Sequence, residues 1–171
     1  MDERTLIRRA IEGDKEAFAA LYMRYRDALY RYAYFRLGDE TDAEDAVSAC
    51  IVSAYEGIGS LRASGAFRAW IFRILYRCCG TLIAARSIAI HNEGEEALDN
   101  LPAEDGDRLS PELAQAFDVL DDVDRDIVLL SVIAGYNSRE IAALLSMKSA
   151  TVRSRLARSL SKMRTFLAMA D

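Results

Sequence analysis

Proline occurs only twice and glycine only nine times in the 171 residues, so little in the chain interrupts a helix and a strand-and-turn fold is disfavoured. No apolar run approaches the roughly 20 residues of a membrane span. The opening Met1-Asp2-Glu3-Arg4 is charged and has no signal-peptide apolar stretch. A cytoplasmic protein without stable membrane insertion is expected. Cysteine is scarce: Cys50, Cys78 and Cys79 are odd in number and two are adjacent, so no disulfide framework is implied. With one histidine and no CxxC pair, no zinc site of usual spacing forms. Small apolar core positions are favoured for these thiols over a redox switch. Neither a nucleophile elbow nor a phosphate loop appears. The chain is read as no enzyme, with no cofactor and no metal.

What is present is helical periodicity in a chain that is 51% hydrophobic and 29% charged. A short helix starts near Asp2 with Leu6, Ile7, Ala10 and Ile11 on one side, and Gly13-Asp14 stops it and caps the next. Phe18, Leu21, Tyr22, Tyr25, Leu29, Tyr32 and Ala33 recur at helical spacing up to Gly38, where a C-terminal glycine belongs. Thr41-Asp42-Ala43-Glu44 reads as a capping box for a third helix reaching about Ile58. A fourth begins near Ser64-Gly65 and carries its apolar stripe to about Ala85. From Arg86 to Leu109 the pattern lapses into an acidic stretch with Gly94, Pro102 and Gly106, read as a mobile linker. Ser110-Pro111 restarts helix. The reading is an all-α fold of two small helical domains, residues 1–86 and 111–171, joined by a flexible linker over 87–110.

The net charge of −5 argues against a protein that coats nucleic acid, but it hides an asymmetry. Tyr136 to Asp171 holds seven cations against Glu140 and Asp171, while Ser87 to Gly135 holds thirteen acids against Arg108 and Arg125. A basic end beside an acidic middle suggests a local polyanion-binding face. That end also carries the strongest motif. Asn137-Ser138-Arg139-Glu140 caps a short helix, Ser146-Met147-Lys148 turns, and a second helix opens near Ser149: a helix-turn-helix pattern. Ile141, Ala142 and Leu145 would lock against Val152 and Leu156. Ser149, Thr151, Arg153, Ser154, Arg155 and Arg158 would then face outward, able to reach phosphates and base edges. A helical hairpin with an ordinary solvated basic face is the blander alternative.

The stretches Leu120 to Leu130, Gly135 to Ala142 and Thr151 to Arg158 resemble region 4 of the extracytoplasmic-function sigma factors. The pieces Gly13 to Phe18, Leu21-Tyr22, Tyr30 to Ala33, Asp42-Ala43-Glu44-Asp45 and Phe67 to Ile74 resemble region 2 of the same family. The resemblance implies core RNA polymerase, promoter DNA and an anti-sigma factor as partners. It assigns residues 1–86 to polymerase docking and the downstream (minus-ten) element, and residues 111–171 to the upstream (minus-thirty-five) element. Asp42, Glu44 and Asp45 are expected to meet a basic polymerase surface, with Thr41 and Glu44 also capping. Arg68, Trp70, Arg73 and Arg77 are expected at the downstream element, although the spacing of Phe67, Trp70 and Phe72 favours core packing over a stacking platform for unpaired bases.

The chain departs from the family pattern in two places. Ser48 and Ala49 stand where a glutamine and an acid are usual, and the basic cluster after Arg77 shrinks to Arg86, which implies weaker, less salt-dependent binding of the downstream element. Two rival readings follow: a degenerate sigma-like protein that titrates an anti-sigma factor, and a stand-alone helix-turn-helix regulator.

Overall fold

The computed structural model describes residues 1–93 and 109–170, the side chains of residues 92 and 93 excepted. They fall into two compact units, divided between Leu101 and Pro102. Every regular element among the described residues is helical. The expected linker begins as helix, and its residues 94–108 lie outside the described residues.

The first unit is a four-helix bundle of α1 (Glu3–Ile11), α2 (Lys15–Leu37), α3 (Glu40–Gly57) and α4 (Phe67–Glu93). α3 packs against both α2 and α4, and α1 against α2. Its buried face is built from small residues, Ala43, Ala46, Val47, Cys50 and Ala54, which lets its neighbours approach closely. Large side chains fill the other faces: Leu21, Leu29, Tyr32, Phe67, Ile71, Phe72 and Leu75 are all buried. Tyr32 meets Phe72 edge-on at 5.8 Å and Tyr25 meets Phe67 at 5.2 Å. Such pairs add about 0.5–1.5 kcal/mol each beyond the area they bury.

Helix ends are set by side chains. The Asp14 carboxylate accepts from Glu16 and Ala17 N–H at 3.0 and 3.1 Å and takes Arg9 Nε at 2.8 Å. Gly38 ends α2 in the left-handed conformation, φ 73°, which costs glycine nothing. The expected capping box at Thr41 is corrected. Asp39 is the N-cap of α3 and accepts from Asp42 N–H at 2.8 Å, so Thr41 and Glu44 already lie inside the helix. Both Asp39 and Thr41 are good cap residues, and the one that starts the helix two residues earlier is the one used.

α4 overruns the expected boundary. The helix continues through Glu93, so Ser87 to Glu93, His91 among them, are helical rather than linker. Nothing from Arg86 to Glu93 breaks a helix; the next glycine is Gly94. The apolar stripe fades there because the helix has outrun its bundle, leaving Ile88 and Ile90 more than 60% exposed.

Tyr25 gives the first unit a pH signature. Its hydroxyl donates to Glu3 Oε1 at 2.9 Å, and burial, with Glu3 beside it, pushes the phenol up to about 12. A folded-state value above the unfolded one near 10 makes its stabilisation whole below pH 10, lost as pH rises toward 12. Urea midpoints of the first unit should fall over that window. In Tyr25→Phe the fall should be shallower, from a starting point about 0.5–1.5 kcal/mol lower for the missing hydrogen bond.

The second unit comprises α5 (Pro111–Asp118), α6 (Asp122–Val132), α7 (Ser138–Leu145) and α8 (Ser149–Met169). α8 packs against the other three. Ile127, Leu129, Leu130, Ala134, Ile141 and Val152 are fully buried between them. Ser110 caps α5 with Pro111 at its first turn, as the sequence implied.

Candidate nucleic-acid interface

α7 and α8 form the helix-turn-helix. Asn137 and Glu140 make a reciprocal capping box on α7, both bonds 2.9 Å. The turn is carried by Ser146, which sits in the left-handed region at φ 55°, while Met147 N–H returns to the Ala142 carbonyl at 2.9 Å. Ile141, Ala142 and Val152 are buried at the crossing, with Leu145 and Leu156 half-buried beside them. A left-handed non-glycine residue costs about 1–2 kcal/mol. Ser146→Gly should therefore raise the melting temperature of the second unit, by up to about 8 °C after the entropic offset of glycine. Ser146→Val should lower it.

α8 begins without a side-chain cap: Lys148 occupies the N-cap position and makes no capping bond. The first-turn N–H groups and the positive end of the helix dipole are thus left for an anion such as a DNA phosphate. Thr151, Arg153, Ser154 and Arg158 are exposed on this helix, and Ser149 is half-buried, accepting from Arg153 Nη1 at 3.2 Å. No acid occurs anywhere in α8.

Arg155 is placed differently from the others. It is only 26% exposed, and its guanidinium faces Asp121 Oδ2 at 3.2 Å and Asp124 Oδ1 at 2.8 Å on α6. The outward-facing position expected for it is corrected: the N-cap carboxylate of α6 and one from its first turn hold it.

In the first unit the structure separates residues that the sequence grouped. Arg73 and Arg77 are exposed one turn apart on α4, with Trp70 a turn before them. Arg68 lies about 140° around the helix from Arg73 at 100° per residue. It covers the faces of Tyr25 and Phe72 at 5.8 and 5.5 Å. Trp70 is half-buried, its ring 5.9 Å from Phe67 and against Gly57, in keeping with core packing.

The three expected docking acids also divide. Glu44 and Asp45 are exposed. Asp42 is half-buried and forms an ion pair with Arg86, whose Nη1 also donates to the Leu37 carbonyl at 2.9 Å. Arg86 thereby ties α4 to the α2–α3 corner, so the last cation of the expected basic cluster is spent inside the protein. Sequence reasoning missed this use of Arg86, and missed the stacked pair Tyr30–Tyr34, 6.2 Å apart on α2, which their spacing of four would have suggested. Cys50 and Cys79 are core residues and Cys78 is half-buried; burial pushes the Cys50 and Cys78 thiols up, and Cys50 Sγ lies 3.6 Å from the Ile71 carbonyl. No cluster able to hold a metal occurs among the described residues.

Residues 21–87 match sigma-70 region 2, and residues 110–163 match sigma-70 region 4. The ECF RNA polymerase sigma factor SigE of Mycolicibacterium smegmatis is 30% identical over 167 residues, an alignment that takes in 91% of this chain and 65% of SigE. The structure of CnrH in complex with the cytosolic domain of CnrY superposes with a TM-score of 0.69 at 26% identity, covering 99% of both chains. The sigma factor RpoE of Bartonella quintana, solved with the anti-sigma factor NepR, shares the fold with a TM-score of 0.72 at 21% identity over 88% of this chain and 96% of that one.

Proposed function

The chain belongs to the extracytoplasmic-function branch of the sigma-70 family of RNA polymerase sigma factors, and we propose that it acts in the cytoplasm as an alternative sigma factor whose two units divide the work of promoter selection. The first unit docks on core polymerase through Glu44 and Asp45 and meets the downstream element along Trp70, Arg73 and Arg77. The second unit reads the upstream element with α8. It performs no chemistry; binding at two separated places turns two weak contacts into one tight one through effective concentration. An anti-sigma factor is the expected regulator, in line with the NepR complex of the Bartonella protein.

The observation that carries this reading is α8 itself. It has an uncapped N-terminus, exposed Thr151, Ser154 and Arg158 along one side, exposed Arg153 about 140° around the helix from Arg158, and no acid along its length. A protein that only titrated a regulator would have no need of such a face. The docking assignment separates the three acids. Glu44→Lys combined with Asp45→Lys should weaken binding to core polymerase by about tenfold or more, because like charges placed across an interface cost several kcal/mol. Asp42→Asn should act mainly on the stability of the first unit. Fluorescence titration of core polymerase with labelled protein, beside thermal melts, checks both; unchanged binding in the double variant would move the docking surface elsewhere.

A further inference from the structure

Among the cations of α8, Arg155 alone is paired with an acid within the described residues. The pairing is specific in form. Asp121 is the N-cap of α6: its Oδ1 accepts from Asp124 N–H at 2.8 Å, and its Oδ2 meets Arg155 Nη2 at 3.2 Å. One carboxylate thus starts α6 and holds α8. Asp124, one turn on, is the more buried acid, its side chain 13% exposed, with Oδ1 2.8 Å from Arg155 Nε. That oxygen accepts no aligned hydrogen bond, so the contact is an ion pair.

α8 otherwise rests on α6 and α7 through apolar contacts and small residues, among them Val152, Ser159 and Met163. Those contacts hold the helix by shape, and a directional polar contact adds to them a constraint on rotation of the helix about its axis and on sliding along it. A planar guanidinium hydrogen-bonded to Asp121 and ion-paired with Asp124 resists both. If Arg155 swung out to DNA it would leave Asp124 as a largely buried, uncompensated charge, which is costly.

We propose that Arg155 is a positioning residue for upstream-element reading, setting the rotation and register of α8 through Asp121 and Asp124 without touching DNA. The proposal rests on α8 being the recognition helix. It reverses the role that helical spacing and charge alone would give Arg155, and it makes Asp121 and Asp124 contributors to DNA affinity.

The test is a mutant cycle on the full chain bound to core polymerase. Affinity for a fluorescein-labelled duplex taken from the DNA upstream of the chain's own gene is measured across a range of salt. Arg155→Ala and Asp124→Asn should each weaken binding by roughly tenfold, and the double variant should be no worse than either single one, because the two residues act as a unit. The salt slope should stay at the wild-type value in all three. Arg155→Lys keeps the charge and loses the planar fork; it should also weaken binding at unchanged slope, which keeps the test alive should the alanine variant fail to fold by circular dichroism. A direct phosphate contact predicts otherwise: Arg155→Ala would lower the slope by about 0.9, and Asp124→Asn, by freeing the guanidinium, would hold or tighten binding. Either result overturns the proposal. Arg158→Ala in the same assay separates the two levels of inference. If it weakens binding while Arg155→Ala does not, the positioning role alone fails; if neither does, α8 is not the reader.

Discussion

Ile127→Ala removes most of the stability of the second unit and, with it, binding to the upstream element. Ile127 is fully buried in α6, in the core that α8 packs over. Truncating such a side chain costs about 2–5 kcal/mol, the transfer of its lost methyl groups together with the cavity they leave. A unit of about 60 residues has only about 3–9 kcal/mol to lose. The same cut in a large domain would be tolerated; here it takes up a large share of the total. Urea unfolding followed by circular dichroism should show an early transition for the second unit. Thermal shift of the first unit, reported by Trp70 fluorescence, should stay near its wild-type value. Movement of both transitions together would mean that the units unfold as one.

The second large effect is on recognition. Arg153→Ala combined with Arg158→Ala should weaken upstream-element binding by at least about 30-fold, since each base contact is worth about 1–3 kcal/mol and separated contacts add. If both arginines bind phosphate, the salt slope falls by about 1.8, twice the increment of a single contact. If both read bases, discrimination between matched and mismatched duplexes collapses and the slope holds. Helix content should be unchanged either way, because both side chains are exposed and neither has a carboxylate partner among the described residues. Wild-type affinity in this variant would remove α8 from the interface.

Much of this architecture was legible in the order of residues. The stripe from Phe18 to Ala33, Gly38 at the end of α2, Ser110-Pro111 at the start of α5 and the Asn137–Glu140 box are local signals, each complete within a few positions, and the structure repeats them. What stayed hidden was of two kinds. Helix α4 outruns its bundle, and a period of apolar residues reports a helix only where there is something to pack against. The uses of charge are non-local: Arg155 meets Asp121 from 34 residues away, and Arg86 reaches the Leu37 carbonyl across 49. No local spacing distinguishes a cation that will be spent on a distant carboxylate from one left to bind a phosphate. Arg155 and Arg158 therefore read alike in sequence and part company in the fold. The same holds for Asp42 against Asp45, three residues apart on α3 and turned to different tasks.

Promoter-directed initiation is the activity that the two units together would serve. The direct measurement is run-off transcription by bacterial core polymerase on DNA from the chain's own upstream region, with and without the protein. The sigma-factor reading predicts a discrete transcript that appears only with the protein and fades in the Arg153→Ala, Arg158→Ala variant. Tight binding to core polymerase with no transcript would contradict it in favour of a sigma-like titrator, and absence of binding would leave a stand-alone DNA-binding protein.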